Sequence, residues 1–274
     1  MKILILGQLI GKSSITFLKE HLPKIKESYA VDATIAVADA VTGGFGLGKN
    51  HAFYLRKLGI DLLVGGESLF FKKDLVEDLS KMHFVVRPAN FTGQGNFGYG
   101  SRQIRNGLKT PLTVINLMGN MGFHRIHAGN PYQTIIRMME QIKEKNPLTI
   151  VTFSAIASAE KQTLGHLMAG QCSAVIGYGA KALTADAHIM KEHTAYITDI
   201  GRISAPYSIG GLDIETEIKR YQTQRPMRSI EANADSIEMQ AVLVTINEVT
   251  GQAESILPIR EIYPLKHPSQ EVSP

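Results

Sequence analysis

The chain has 274 residues, 29 Lys and Arg against 25 Asp and Glu, a formal net charge of +4 and 44% hydrophobic residues. That suits one large α/β domain or two small ones with a substantial core, and the single cysteine, Cys172, excludes an internal disulfide and a Cys-rich zinc site. No apolar run reaches the roughly 18 residues that span a bilayer, which excludes an apolar transmembrane helix.

The opening "MKILILGQLIGKSS" reads as a buried first strand rather than a signal peptide, because Gly7 and Gln8 interrupt its apolar run. Further β-branched and apolar runs predict strands over 2–7, 33–38, 61–65, 83–87, 112–117, 148–153, 173–177 and 194–199. Amphipathic stretches over 13–27, 48–58, 72–81, 131–145 and 158–170 predict helices between them. This alternation argues for buried sheets with helices outside. Near the end, "MQAVLVTINEVTGQAESILPI" predicts a hairpin around Thr250-Gly251, so the sheet is mixed. Residues 1–262 are expected to form a single domain, and 263–274 a flexible C-terminal tail.

Charge is spread as it is on solvated helix faces: "KEHLPKIKES" mixes both signs. The most basic stretch, with Lys219, Arg220, Arg225 and Arg228, reads as an exposed helix end and loop, with no basic-aromatic stripe for stacking nucleic-acid bases. "GGFGLGKN" (43–50) lacks the hydroxyl a P-loop places after its lysine, here Lys49 followed by Asn50. "HRIH" puts His124 and His127 three apart in a Gly- and Pro-flanked loop, and "GQGNFGYGSRQIRNG" (93–107) carries Phe97, Tyr99 and Arg102. Both are weaker candidates for ligand contact than the strand ends, where open α/β sheets bind ligands. Those ends are Gln8, "ADAVTGGFG", "GGES", "NLMGN", "FSAIAS", "GYGAK" and "TDIGR".

These segments, in this order, resemble the YmdB-type metallophosphoesterases, a branch of the calcineurin-like binuclear phosphoesterases. "RPANF" (87–91), "VINL" (114–117), "SAVIG" (173–177), "TAD" (184–186) and "TAYITDIG" (194–201) carry the resemblance, with "GGFG" and "LPK". It implies a four-layer α/β/β/α sandwich of two mixed sheets. It also implies a pair of divalent metals that polarise a phosphodiester and activate a water.

Every position that matches a family metal ligand is substituted. The family's Gly-Asp is Gly7-Gln8, its Gly-Glu-Asn is Ala38-Asp39-Ala40, and its Gly-Asn-His is Gly66-Glu67-Ser68. Its Phe-His is Phe153-Ser154, and its Gly-Thr-His-Thr-His is Gly177-Tyr178-Gly179-Ala180-Lys181. The former ligand positions are thus Gln8, Asp39, Ala40, Glu67, Ser68, Ser154, Gly179 and Lys181. Lys181 brings a fixed positive charge with no lone pair. At ~4 Å and an effective dielectric near 20, two unit charges interact by about 4 kcal/mol, and a divalent ion feels about twice that. Lys181 is expected to pair with Asp39 or Glu67 in the vacated centre.

The expectation drawn from these losses is a catalytically inactive binding, scaffolding or regulatory protein, a pseudoenzyme without a cofactor. It would be cytoplasmic and homo-oligomeric, with a protein partner the sequence does not name, and neither membrane nor nucleic acid as partner. One alternative is a divergent phosphodiesterase acting on cyclic nucleotides or other phosphodiesters. It would hold a single Mg or Mn ion through Asp39, Glu67 and Gln8, with Asn116 or Asp199. Another is a nucleotide or phosphate sensor without turnover, with Lys181 on the phosphate.

Overall fold

In the computed structural model, residues 1–91, 97–105, 107–122, 127–142, 148–233 and 235–265 are described. The first half runs β1 (Lys2–Leu6), β2 (Gln8–Leu9), α1 (Gly11–Tyr29), β3 (Ala33–Val37), α2 (Lys49–Lys57), β4 (Leu62–Val64), α3 (Lys73–Asp78), β5 (Val85–Val86), β6 (Ser101–Ile104) and β7 (Leu112–Met118). It continues with α4 (Pro131–Ile142), β8 (Thr149–Ser154), α5 (Ser158–Met168), β9 (Ala174–Tyr178), β10 (His188–Met190) and β11 (Thr194–Ile197). The last third is β12 (Arg202–Ser204), α6 (Ile214–Thr223), β13 (Ser236–Ile246) and β14 (Ala253–Pro264).

Side-chain alternation sorts these strands into layers. In β1, Ile3 and Ile5 face one way and Leu4 and Leu6 the other, and all four are buried. Ile3 and Ile5 join Ile35 and Val37 against Val114, Ile150, Ile176 and Ile197, a core between two sheets. Leu4 and Leu6 pack outward with Ala36 and Leu63 against Phe17, Leu18 and Leu22 of α1 and Leu55 of α2. On the far side, Ile115, Leu117, Val151 and Phe153 meet Ile135 and Met139 of α4 and Leu164 and Met168 of α5. The result is the expected helix, sheet, sheet, helix sandwich.

The first sheet has the order β2-β12-β13-β1-β3-β4-β5, with β14 also paired to β13. Strands β1, β3, β4 and β5 are parallel, and β13 is antiparallel to β1, β12 and β14. The second sheet, β10-β11-β9-β8-β7-β6, is parallel except for its edge strands β10 and β6. The carboxyl ends of β1, β3 and β4 therefore meet those of β7, β8 and β9 at one end of the sandwich.

Two boundaries differ from expectation. The tail does not begin at residue 263: β14 runs to Pro264, opposite Ser236, and the Leu265 amide donates to the Asp235 carbonyl at 3.0 Å. The alternating pattern of β14 continues into "REIYP", where Tyr263 packs on the α1 side, and Pro264 closes the strand at a position where a missing N–H is tolerated. The stretch 72–81 divides into α3 and a 3₁₀ turn over Leu79–Lys81. Residues 266–274, most of the predicted tail, lie outside the described residues, as do 143–145 of the predicted fourth helix. Among the described residues, no helix is long and apolar enough to cross a membrane.

The chain leaving β11 passes so close to its neighbour β9 that β9 needs glycine near its end. A Cβ on Gly177 would lie 2.0 Å from the Thr198 carbonyl oxygen. Gly177→Ala is expected to lower stability by about 1–3 kcal/mol, as overpacking does; an unchanged denaturation midpoint would contradict this packing.

Candidate active site

The converging strand ends line a cleft of about 180 Å³ that brings together Gln8, Asp39, Ala40, Glu67, Ser68, Ser154, Gly179 and Lys181. Each sits just past or at the end of its strand, so topology rather than sequence proximity assembles them. Tyr178 lines the cleft as well, and Phe45, Ile156 and Gly122 stand on its wall.

Asp39 is the carboxylate of the floor. It is buried, and its oxygens accept from Gln8 Nε2 at 2.9 Å and from the Gly66 amide at 2.8 Å. Burial nevertheless raises its pKa, against those hydrogen bonds and the charge of Lys181. Gln8 is 7% exposed. Because its amide nitrogen faces the Asp39 carboxylate, its Oε1 must point the other way, and that buried oxygen has no hydrogen-bond partner. An unmet buried acceptor costs about 1–3 kcal/mol.

Lys181 holds the opposite charge. Its backbone has φ +60°, which a non-glycine residue adopts only when its surroundings enforce it. They do so here through Arg202, whose Nη1 donates to the Lys181 carbonyl at 3.0 Å, and through Asp199, whose Oδ2 accepts the Ala180 amide at 2.8 Å. The preceding Gly179, at φ +117°, makes the bend and passes against Ala155. Burial lowers the Lys181 pKa, while the carboxylates of Asp39 and Glu217 raise it and Arg202 and Arg220 lower it. Of the two pairings expected of Lys181, the one with Asp39 takes the form of a longer-range attraction: the Asp39 oxygens are taken by Gln8 and Gly66, and Lys181 acts on Asp39 through space.

A second, fully buried ion pair stands behind this turn and left no mark in the sequence. Lys161 of α5 meets Asp199 at 2.6 Å, with side chains 1% and 0% exposed. Asp199 also accepts from the Gly201 amide at 2.9 Å, and burial raises its pKa against the charge of Lys161. Neither residue has a neighbour in sequence that signals the other. Glu160, just before Lys161, accepts from the amides of Asn120 and Met121 and so holds the loop after β7.

The donor set does not fit the metal pair that the resemblance implies. Among the described residues that line the cleft there is no imidazole, the Asp39 oxygens already accept hydrogen bonds, and an ammonium stands among the nearest charges. Among the described residues no group of three or more His, Cys, Asp or Glu side chains could hold a metal ion. Asn116 and Asp199 cannot complete a single-ion site. Asn116 donates to Gly65 and Val86 carbonyls and accepts from Thr152 and Tyr178, and Asp199 is paired with Lys161.

Among the described residues, the other candidates lie apart from the cleft. Lys49 pairs with Asp78, and Arg102 covers the Tyr99 ring and donates to His83. Phe97 is exposed, His127 lies on an exposed stretch, and His124 is outside the described residues, as are 93–96 and 106 of the Gly-rich segment. Arg220 pairs with Glu217 at the end of α6.

A double-layered sandwich with ligand groups at the strand ends defines a calcineurin-like phosphoesterase fold. The sequence model for YmdB-like proteins matches residues 4–259, and the chain belongs to that family. It is 32% identical over 257 residues to a "2',3'-cyclic-nucleotide 2'-phosphodiesterase" of Bacillus subtilis, covering 93% of this chain and 95% of that protein. A crystal structure of a hypothetical protein from Thermus thermophilus superposes with a TM-score of 0.86 at 28% identity, covering 96% of this chain and 100% of that one. A novel phosphatase from Mycoplasma pneumoniae gives 0.89 at 24% identity, covering 96% and 94%, a likeness of fold. The expectation of an inactive pseudoenzyme is thereby corrected. Full-length similarity to a phosphodiesterase points to an enzyme, and substituted ligand positions alone are not grounds for inferring that the chemistry has been lost.

Two expectations follow. Lys161→Met should cost about 3–5 kcal/mol by leaving a buried carboxylate unpaired, and Lys161→Met with Asp199→Asn should recover part of it. Equal denaturation midpoints for wild type and the single variant would contradict this. For Asp39, folding raises the pKa, so the folded chain binds this proton more tightly than the unfolded one. The stability linked to it is present below the unfolded value, about 4, and is lost as pH rises through the folded value. Asp39→Asn should therefore melt higher than wild type at neutral pH, with the gap closing toward about pH 4; a lower melting temperature at neutral pH would contradict it.

Proposed function

We propose that this protein is a phosphodiesterase that acts on a cyclic nucleotide or another phosphodiester in the cleft between Asp39 and Lys181. The observation that carries the reading is the full-length similarity to the Bacillus subtilis phosphodiesterase, with the cleft at the strand ends of the same sandwich. Because the described residues do not fit a metal pair, the chemistry falls to the side chains of the cleft. The Lys181 ammonium faces the negative phosphoryl oxygens and offsets the charge that grows on them in the transition state. Ser68 and Ser154 offer hydroxyl donors on the same wall. Asp39, whose carboxylate burial makes more basic, takes a proton from the attacking water. The water oxygen bonds to phosphorus, one P–O ester bond breaks, the freed oxygen takes a proton from solvent, and Asp39 returns its own proton to solvent, so that one water is consumed and a phosphomonoester is left. The same reading has the protein working in the cytoplasm as a homo-oligomer, and its single cysteine, the buried Cys172, suits a reducing compartment.

The test is hydrolysis of 2',3'-cyclic AMP followed by chromatography of the products. Wild type should release a single monophosphate, and Lys181→Met should lower kcat/KM about 100-fold, as loss of one charge-stabilising donor does. No turnover by wild type, or an unchanged rate in the variant, would overturn the assignment.

A further inference from the structure

We propose that a second pocket, at the free edge of the second sheet, binds a phosphorylated small molecule with a hydroxyl-rich body, such as a sugar phosphate. The guanidiniums of Arg102 and Arg105 take the phosphate. This pocket lies apart from the cleft and is independent of the phosphodiesterase reading. Ser154 lines the cleft and pairs with Met118 at the end of β7, whereas Thr113 lines this pocket five positions back, about 16 Å along the strand.

Strand β6 is the edge strand, and alternation along it divides the pocket between two faces. Ile104 packs into the core between the sheets, so Arg102, two residues earlier, faces the same way and meets His83, just before β5 of the first sheet. Gln103 faces the other way, beside Thr113 of β7 and the end of α4. Arg102 lies over the Tyr99 ring, with Cζ 3.1 Å from the centroid, and its Nη2 donates to His83 Nδ1 at 2.8 Å. A guanidinium has no acceptor, so that ring nitrogen accepts and the ring proton sits on Nε2. Arg105 Nη2 donates to Gln103 Oε1 at 2.6 Å, and Gln103 Nε2 reaches Thr113 Oγ1 at 3.4 Å. Uncharged groups thus hold both guanidiniums at the pocket wall.

Such partners position a cation without cancelling it. Among the described residues that line the pocket there is no carboxylate, and among the described residues neither arginine forms an ion pair. Arg56, in the adjoining hollow, is by contrast matched by Asp61. Two planar forks that have each spent one nitrogen on a neutral acceptor suit the oxygens of a phosphate, which can accept from both. The volume, about 440 Å³, lies within the roughly 300–1,000 Å³ of small-molecule pockets and leaves space beyond the phosphate. Around that space stand the amide of Gln141 and the hydroxyls of Ser101 and Thr113, with one aliphatic side chain, Ile142. A lining of this kind suits a body of hydroxyls better than an apolar tail.

The experiment is calorimetric titration of glucose 6-phosphate, glucose and inorganic phosphate into wild type, Arg105→Gln and Lys181→Met. Arg105 is exposed just past β6, so its replacement spares the core, and an unchanged denaturation midpoint checks this. Wild type should bind glucose 6-phosphate about tenfold more tightly than inorganic phosphate, the weight of one or two added hydrogen bonds, and glucose without measurable heat. Arg105→Gln should weaken glucose 6-phosphate by about tenfold or more, as loss of a charged donor does. Lys181→Met, altered in the cleft, should bind it as wild type does. No binding of glucose 6-phosphate by wild type, or an affinity unmoved by Arg105→Gln, would overturn the proposal. So would binding lost in Lys181→Met, which would put the ligand in the cleft, and inorganic phosphate binding as tightly as the sugar phosphate.

Discussion

The ion pair of Lys161 and Asp199 is the contact on which the cleft depends. A carboxylate buried to this degree is tolerable only beside a matching charge and a full set of donors. Asp199 has both: the Lys161 ammonium and the amides of Ala180 and Gly201. One amide leads to Lys181. The other leads, through the Gly201 carbonyl, to the backbone amide of Gln8 at 2.9 Å. A side chain just past the end of β11 thus fixes a strand end from each sheet, and Arg202 closes the circuit onto the Lys181 carbonyl. The energy of the pair need not favour folding. Its effect is to make one geometry of the turn much better than its alternatives.

That geometry gives the cleft a built-in cation. In a site organised around divalent ions, positive charge comes from solution and its ligands are carboxylates and imidazoles. Here the positive charge is covalently part of the chain, and the carboxylate beside it is satisfied by an amide and a backbone N–H. The two arrangements can serve the same end, because a phosphoryl group responds to the field around it and not to the origin of that field. On the proposed reading, a phosphodiesterase of this family works with Lys181 in the cleft.

The layers of the fold were legible because they follow from period-2 burial. "KILIL" and "LTVINLM" separate into inward and outward rows, and their spacing leaves room for helices on the outer faces only. The members of the cleft were legible from strand ends and from the resemblance, and the structure gathers every one of those positions. What the sequence did not disclose was how they connect. Lys161 reads as one more helix-face lysine, and nothing along the chain links it to Asp199, which lies 38 positions further on. A direct contact of Lys181 with Asp39 was one of two pairings expected, and Asp39 feels Lys181 through space instead. Charge sign can be read from sequence, but which carboxylate is already occupied by neighbouring donors depends on the register of β1 beside β3. The orphaned Gln8 oxygen is likewise invisible until the side on which Asp39 lies is known.

The most direct test of this account is turnover and metal content measured on one sample. The protein is stripped with a chelator, its residual metal is counted by elemental analysis, and 2',3'-cyclic AMP hydrolysis is followed in that sample and again after Mn²⁺ or Mg²⁺ is added. The account predicts hydrolysis by protein that carries no stoichiometric metal, with a rate that added ions leave unchanged. Activity that disappears with the metal and returns in proportion to ions bound would contradict it, and would place the positive charge of the site in solution after all.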